Sequence, residues 1–227
     1  MDALRGTRPD RADRPRARRG RAVVPVQIRR RRHQRRDEQP LARSHHRHHL
    51  VIRHQMAADV FGLIRLAEHA FNAIRQIAPQ VDISLKWPND ILSRDGSKLC
   101  GILLERSADA VIVGIGLNLV WHPENLDRKV SDLRALGATP PDAQSSVEII
   151  ADAFARYLAI WRLSGTGTII RQWEEYAHPR GTALSARLPG GDELHGLFQG
   201  LDDQGALRLS LADGAIRAIH AADVFLV

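Results

Sequence analysis

The chain has 227 residues, 44% of them apolar, which is enough for one domain of ordinary size and a small second one. No run of eighteen apolar residues and no apolar leader at the start are present, so neither a membrane span nor a secretory signal is expected, and the expected location is cytoplasmic. The single cysteine, Cys100, excludes an internal disulfide framework and a cysteine-based zinc site, and the net charge of +7 is unevenly distributed.

Residues 1–54 hold seventeen arginines, no lysine and five acids, a balance of +12, whereas the remainder carries −5. Arg29 to Arg32, Arg35 and Arg36 form a like-charge run, and His45, His46, His48 and His49 follow it. Packed like charges repel and favour disorder. No strand alternation or helical period is legible between Ala22 and Met56. Three readings stand. The segment is a basic arm that binds a polyanion, a solvated tail, or residues supplied by a shifted reading frame or wrong start. Arginine without lysine, with much His, Pro and Ala, favours the third. The histidines show no regular ligand frame, so no metal site is expected.

From Met56 to Ala78 the apolar residues Val60, Leu63, Ile64, Ala67, Phe71, Ile74 and Ile77 recur at helical spacing, and Pro79 ends the run. This predicts an amphipathic helix with one core face. Asp82 to Trp87 alternates as a half-buried strand, Pro88-Asn89-Asp90 is turn chemistry, and Ile91 and Leu92 start another strand. Asp95-Gly96 marks a hairpin, after which Lys98 to Glu105 and Val111 to Val120 read as strands. Such short separations imply antiparallel pairing. Cys100 lies within one of these strands and is expected to be a buried thiol, not a nucleophile.

Trp121 to Pro141 reads as loop with a short helical turn. Ser145 to Glu148 fits a capping box with Ser145 as N-cap, opening a helix whose core face is Val147, Ile150, Ala151, Phe154, Tyr157 and Leu158. A short helix is expected over Ile169 to Ala177. Four short strands follow, Ala183 to Leu188, Leu194 to Leu201, Ala206 to Leu211 and Ala215 to His220, separated by Gly- and Asp-rich turns. They predict a small antiparallel barrel, which by itself says nothing of function.

The chemistry concentrates in three blocks. These are Lys86-Trp87-Pro88-Asn89-Asp90, Lys98 to Glu105, and Gly114-Ile115-Gly116-Leu117-Asn118. A lysine ends an alternating strand at a Trp-Pro turn, and two glycine-containing strands come next. Glycine inside a strand marks close backbone approach. Here a ligand is the expected reason for Gly101, Gly114 and Gly116. Gly114-x-Gly116 is not a dinucleotide fingerprint, because no helix follows and the third glycine is absent. The arrangement suits a small anion beside a nucleotide.

In order and spacing these blocks resemble the catalytic core of biotin–protein ligases, and the turn at Gly200 to Leu207 resembles one in their C-terminal domain. The resemblance implies an α+β fold: a mixed or antiparallel sheet with helices, like class II synthetases, plus an SH3-like barrel. The implied domains are an arginine- and histidine-rich segment over 1–54, a partial catalytic core over 55–178 and the barrel over 179–227. The implied reaction joins biotin to ATP as biotinyl-5′-adenylate, with Mg2+, and passes biotin to a lysine of biotin carboxyl carrier protein.

Lys86 would be the catalytic cation between the carboxylate and the α-phosphate. Gly101, Ile102, Gly114 and Gly116 would line the ligand. Asn118 would hydrogen-bond adenine, with a structural amide as the alternative. Lys98 and Glu105 read as solvated or structural strand-end residues. Arg16-Ala17-Arg18-Arg19-Gly20-Arg21 looks like the family's Gly-Arg-Gly-Arg-x-Gly-Arg-x-Trp loop as far as Ala22, which would place Arg16, Arg18, Arg19 and Gly20 over the adenylate. Ala17 and Val23 replace the usual glycine and tryptophan, so an impaired activity is expected. No helix-turn-helix domain is recognisable, so no specific DNA is expected, and a homodimer through the sheet is an option. The alternatives are an inactive ligase scaffold with a polyanion-binding arm, and a lipoate ligase relative.

Overall fold

The computed structural model describes residues 26–31, 47–52, 60–107, 110–124, 126–161 and 166–227. Strands β1 (Val26–Arg31), β2 (Arg47–Ile52), β3 (Ile83–Lys86), β4 (Asp90–Ser93), β5 (Lys98–Ser107) and β6 (Ala110–Leu117) form one sheet in the order β1-β2-β6-β5-β4-β3. Every pairing in it is antiparallel. Helices α1 (Val60–Ile77), α2 (Ala143–Trp161) and α3 (Thr166–Tyr176) pack together, with α1 against β3, β4 and β5. Strands β7 (Ala183–Arg187), β8 (Glu193–Leu201), β9 (Leu207–Ser210), β10 (Ile216–Ile219) and β11 (Asp223–Leu226) form a second antiparallel sheet, ordered β10-β9-β8-β7-β11. This is the α+β architecture expected.

Register decides which residues share a face of the first sheet. Leu85, Ile91, Cys100 and Leu117 are directly opposed across β3 to β6. The first three are buried, on the side covered by the helices. The neighbouring row, Lys86, Asp90, Gly101 and Gly116, must then point the other way, because side chains alternate along a strand. On that open face Leu103 is 56% exposed. A bulge after Ile91 shifts the β4–β5 register one residue beyond the row.

Four expectations are corrected. β1 and β2 lie where no strand is legible, and β2 pairs with β6. The apolar strand β6 offers a row of backbone donors and acceptors that needs no side-chain pattern in its partner. Helix α1 is buried beyond a single face: Arg65, Glu68 and His69 join Ile64, Ala67, Phe71 and Ile74 in the interior, because α2 and α3 cover the side the sheet leaves free. Helix α2 begins at Ala143, with Asp142 as its cap. Asp142 Oδ1 accepts the Ser145 N–H at 2.8 Å, so Ser145 lies in the first turn. That bond holds the Asp142 carboxyl below its usual range. Within α2, Ile150, Ala151 and Phe154 are buried as expected, while Tyr157 and Leu158 lie outside the residues whose side chains are described. The second sheet also has a fifth strand, β11, that the sequence reading misses.

The two sheets share one core. Trp87 is 1% exposed and its Nε1 donates to the Gly205 carbonyl at 3.0 Å, tying the turn after β3 to the β8–β9 turn. Gly205 has φ +81°, and a Cβ there would lie 2.7 Å from Ile64 Cδ1 of α1. Glu174 of α3 accepts the Leu201 N–H at 2.7 Å. No helix among the described residues is long and apolar enough to cross a membrane.

Candidate active site

The Lys-Trp-Pro-Asn-Asp turn divides its work. Trp87 enters the shared core, and the Trp87–Pro88 peptide is cis. Asn89 clamps the turn to β5: its Nδ2 donates to the Ile102 carbonyl at 2.6 Å, and its own carbonyl accepts the Ile102 N–H at 3.0 Å. The two charged ends, Lys86 and Asp90, are left directly opposite each other on the open face.

Asp90 holds two cations. Its Oδ2 lies 3.3 Å from Lys86 Nζ, and its Oδ1 pairs with Lys98 Nζ. The Asp90 side chain is 7% exposed, and the lysines 16% and 21%. Lys98 is therefore not a solvated strand end, and Glu105 alone of that pair is exposed. Lys86 Nζ also donates to the Val224 carbonyl of β11 at 2.8 Å and lies 5.9 Å from the centre of the Phe225 ring. The last strand of the chain thus contributes to the lysine's seat.

Beside these charges the floor is bare. Gly101 and Gly116 face each other across β5 and β6. Among the described residues, a Cβ on Gly116 would meet nothing closer than the Gly101 carbonyl at 3.9 Å. A Cβ on Gly101 would lie 2.9 Å from Lys98 Nζ, so the close approach there is made by the chain's own ammonium. Gly114 stands opposite Leu103 in the next row, and Ile102 is 2% exposed on the helix side.

Asn118 follows β6. Its Nδ2 donates to the Ser131 carbonyl at 2.8 Å and to the Lys98 carbonyl at 3.5 Å. Those bonds tie the end of β6 to the loop beside β5 and supply the structural alternative for this amide. The structure brings Lys86, Gly101 and Gly116 into one row, with Gly114 in the next. Arg16, Arg18, Arg19 and Gly20 lie outside the described residues.

Two groups beside Lys86 are not singled out by the sequence. Asp90 is visible in the motif, but its second lysine needs the β4–β5 register. His178 follows Ala177, which bridges to Leu85, next to Lys86. Burial, then the Lys86 charge, push the His178 imidazole down to about 4. It is neutral near pH 7, and its buried Nε2 has no hydrogen-bond partner among the described residues. Cys100 is fully interior, and burial pushes its thiol up to about 12, with the Asp90 charge adding to the effect. It is no nucleophile.

Residues 185–227 match the family model for the biotin protein ligase C-terminal domain. The chain is 37% identical over 163 residues to a biotin–[acetyl-CoA-carboxylase] ligase of Paracoccus denitrificans, covering 65% of this chain and 64% of that protein. It is 32% identical over 146 residues to one from Mycobacterium tuberculosis, covering 64% and 54%. The chain thus spans between about half and two thirds of these relatives' length. The fold matches the apo structure of biotin protein ligase from Aquifex aeolicus, with TM-score 0.70 and 19% identity, over 80% of this chain and 83% of that one. A structure of the Aquifex aeolicus ligase in complex with biotin and ATP matches with TM-score 0.68 and 19% identity, over 81% of each chain. In its sequence relatives, its C-terminal domain and its fold, this chain is similar to biotin protein ligases.

Proposed function

We propose that this chain is a biotin–protein ligase: it condenses biotin with ATP to biotinyl-5′-adenylate and pyrophosphate, then passes the biotinyl group to a lysine of biotin carboxyl carrier protein. The observation that carries this is the row Lys86, Asp90, Gly101 and Gly116, which sets a half-buried cation beside a floor without side chains. Attack of a carboxylate on a phosphate brings two anions together, and a fixed cation at the meeting point lowers the barrier. Lys86 fills that role. The glycine floor lets the reacting groups lie close to the backbone, and Gly114 and Ile102 extend its surroundings.

Asn118 would meet adenine through the part of its amide not spent on the Ser131 and Lys98 carbonyls. Arg16, Arg18, Arg19 and Gly20 would close over the adenylate. Among the described residues no three His, Cys, Asp or Glu side chains gather as metal ligands, so Mg2+ belongs to this reading as the escort of the ATP phosphates, and no step is derived through it. The reaction is placed in the cytoplasm, and a second copy pairing through the sheet is part of the same reading.

The test is biotin-dependent pyrophosphate release and carrier biotinylation by the full chain. Lys86→Ala should lower adenylate formation by a hundredfold or more, on the order of losing an oxyanion donor. Activity within tenfold of the parent would sink the role of Lys86. A second reading rests on the seventeen arginines of residues 1–54 and the interrupted loop-like run: an inactive ligase scaffold whose arm holds a polyanion. Background activity in the parent, with polyanion binding that weakens steeply with salt, would favour it.

A further inference from the structure

We propose that Lys98 is a second anion-holding group of this site, sharing Asp90 with Lys86, and that the pair of ammoniums takes the phosphate chain of ATP and the pyrophosphate released from it. This rests on the ligase reading for its substrate, while the excess of positive charge beside Asp90 does not depend on it.

One buried carboxylate needs one cation for neutrality, and Lys86 at 3.3 Å already supplies it. Lys98 is in excess, so the cluster carries a net charge of about +1 on a face with restricted solvent. The neighbouring His178 is neutral and adds no further positive charge. Glu105 lies four residues beyond Gly101 along β5, roughly 13 Å at the usual strand rise. Among the described residues no second carboxylate pairs with either lysine, and the balancing charge is assigned to a ligand.

The geometry fits an extended anion. Asp90 presents one oxygen to each lysine, which holds two like charges side by side instead of letting them splay into solvent. Lys98 Nζ reaches over Gly101, where a β-carbon would come within 2.9 Å of it. Its ammonium therefore lies against the glycine floor, beside the open space above Gly116. Two ammoniums along one floor suit a chain of phosphates better than a single carboxylate. Lys86 would hold the α-phosphate where the bond forms, and Lys98 the phosphates that leave.

Inorganic pyrophosphate, titrated calorimetrically into the full chain, tests this directly. Lys98→Gln should weaken pyrophosphate about tenfold or more, the size of one charge-assisted hydrogen bond, while Lys98→Arg stays within about threefold of the parent. Biotin affinity should stay unchanged in both. A folding-independent arm uses the three lysines of the chain, Lys86, Lys98 and Lys129. In the folded parent, pyrophosphate should shield Lys86 and Lys98 from an amine-acetylating reagent, read by mass spectrometry, and leave the exposed Lys129 unshielded. No pyrophosphate binding by the parent, equal binding by Lys98→Gln, or an unshielded Lys98 would each overturn the proposal. Pyrophosphate held at Lys98 without biotin-dependent adenylate would instead defeat only the ligase reading, and adenylate formation with Lys98 unshielded only this one.

Discussion

Gly101 and Gly116 sit within strands of the first sheet and face each other across β5 and β6, whereas Gly205 sits in a turn of the second sheet at φ +81°. Among the described residues, a Cβ at Gly116 would meet only the Gly101 carbonyl at 3.9 Å, while one at Gly205 would meet Ile64 and Phe61 of α1. The same residue type thus clears a surface in one sheet and permits close docking in the other. The contrast separates the two sheets: the first leaves the glycine row on its open face, and the second spends its tight turns on joining α1 and Trp87.

Gly205→Val should do the most damage to stability. A branched residue at positive φ is strained, and its Cβ collides with Ile64, for a loss of about 3 kcal/mol. Urea unfolding would measure it, and an unchanged midpoint would break the contrast.

The pH dependence of stability comes next. His69, packed edge-on against Phe154, is pushed down to about 3 by burial and then by the Arg65 charge, and His178 at the junction to about 4. An unfolded chain takes up both protons near pH 6.5, so the stability tied to these neutral imidazoles is full above that pH and is lost as pH falls toward 4 and 3. Glu68, raised to about 7 chiefly by burial, acts oppositely: its contribution is full below about 4.5 and is lost as pH rises through 7. Two groups against one predict a urea midpoint that climbs from pH 4.5 to 6.5 and then declines toward 8. Glu68→Gln should remove the decline, and His178→Asn should shallow the climb. A decline that survives Glu68→Gln would dismiss that assignment.

Trp87→Phe keeps the ring in the core but leaves the Gly205 carbonyl unpaired. The cost should be about 2 kcal/mol, seen as a lower thermal midpoint. Gly116→Leu should change stability least, by about 0.5 kcal/mol or less, because among the described residues its Cβ meets only the Gly101 carbonyl at 3.9 Å. It should nevertheless abolish calorimetric binding of ATP by filling the floor. Destabilisation as large as that of Gly205→Val would show that the two glycines do the same job.

The strands and helices of the folded part are legible because their apolar periods are regular, and the motif at Lys86 to Asp90 marks the candidate site. The N-cap of α2 misleads because Ser145 and Glu148 have the right spacing, while Asp142 lies closer to the real start. Strand β11 escapes because Val224-Phe225-Leu226 is a short apolar run with no alternation. Its value lies in a backbone carbonyl, which no residue type advertises.

Taken alone, the sequence determines the α+β class, the order of the elements from α1 to β10, the buried nature of Cys100 and the candidacy of Lys86. The element order and the burial of Cys100 follow from local periodicity and turn chemistry, and the fold class and the candidacy of Lys86 from the resemblance that a contiguous motif carries. Tertiary structure alone decides that Asp90 serves two lysines, that Gly101 faces Gly116, that β1 and β2 join the sheet, and that Val224 reaches Lys86 across 138 positions of chain. Those facts depend on strand register and on the docking of one sheet against another, and both are set by burial summed over the whole fold, which no local window of sequence contains.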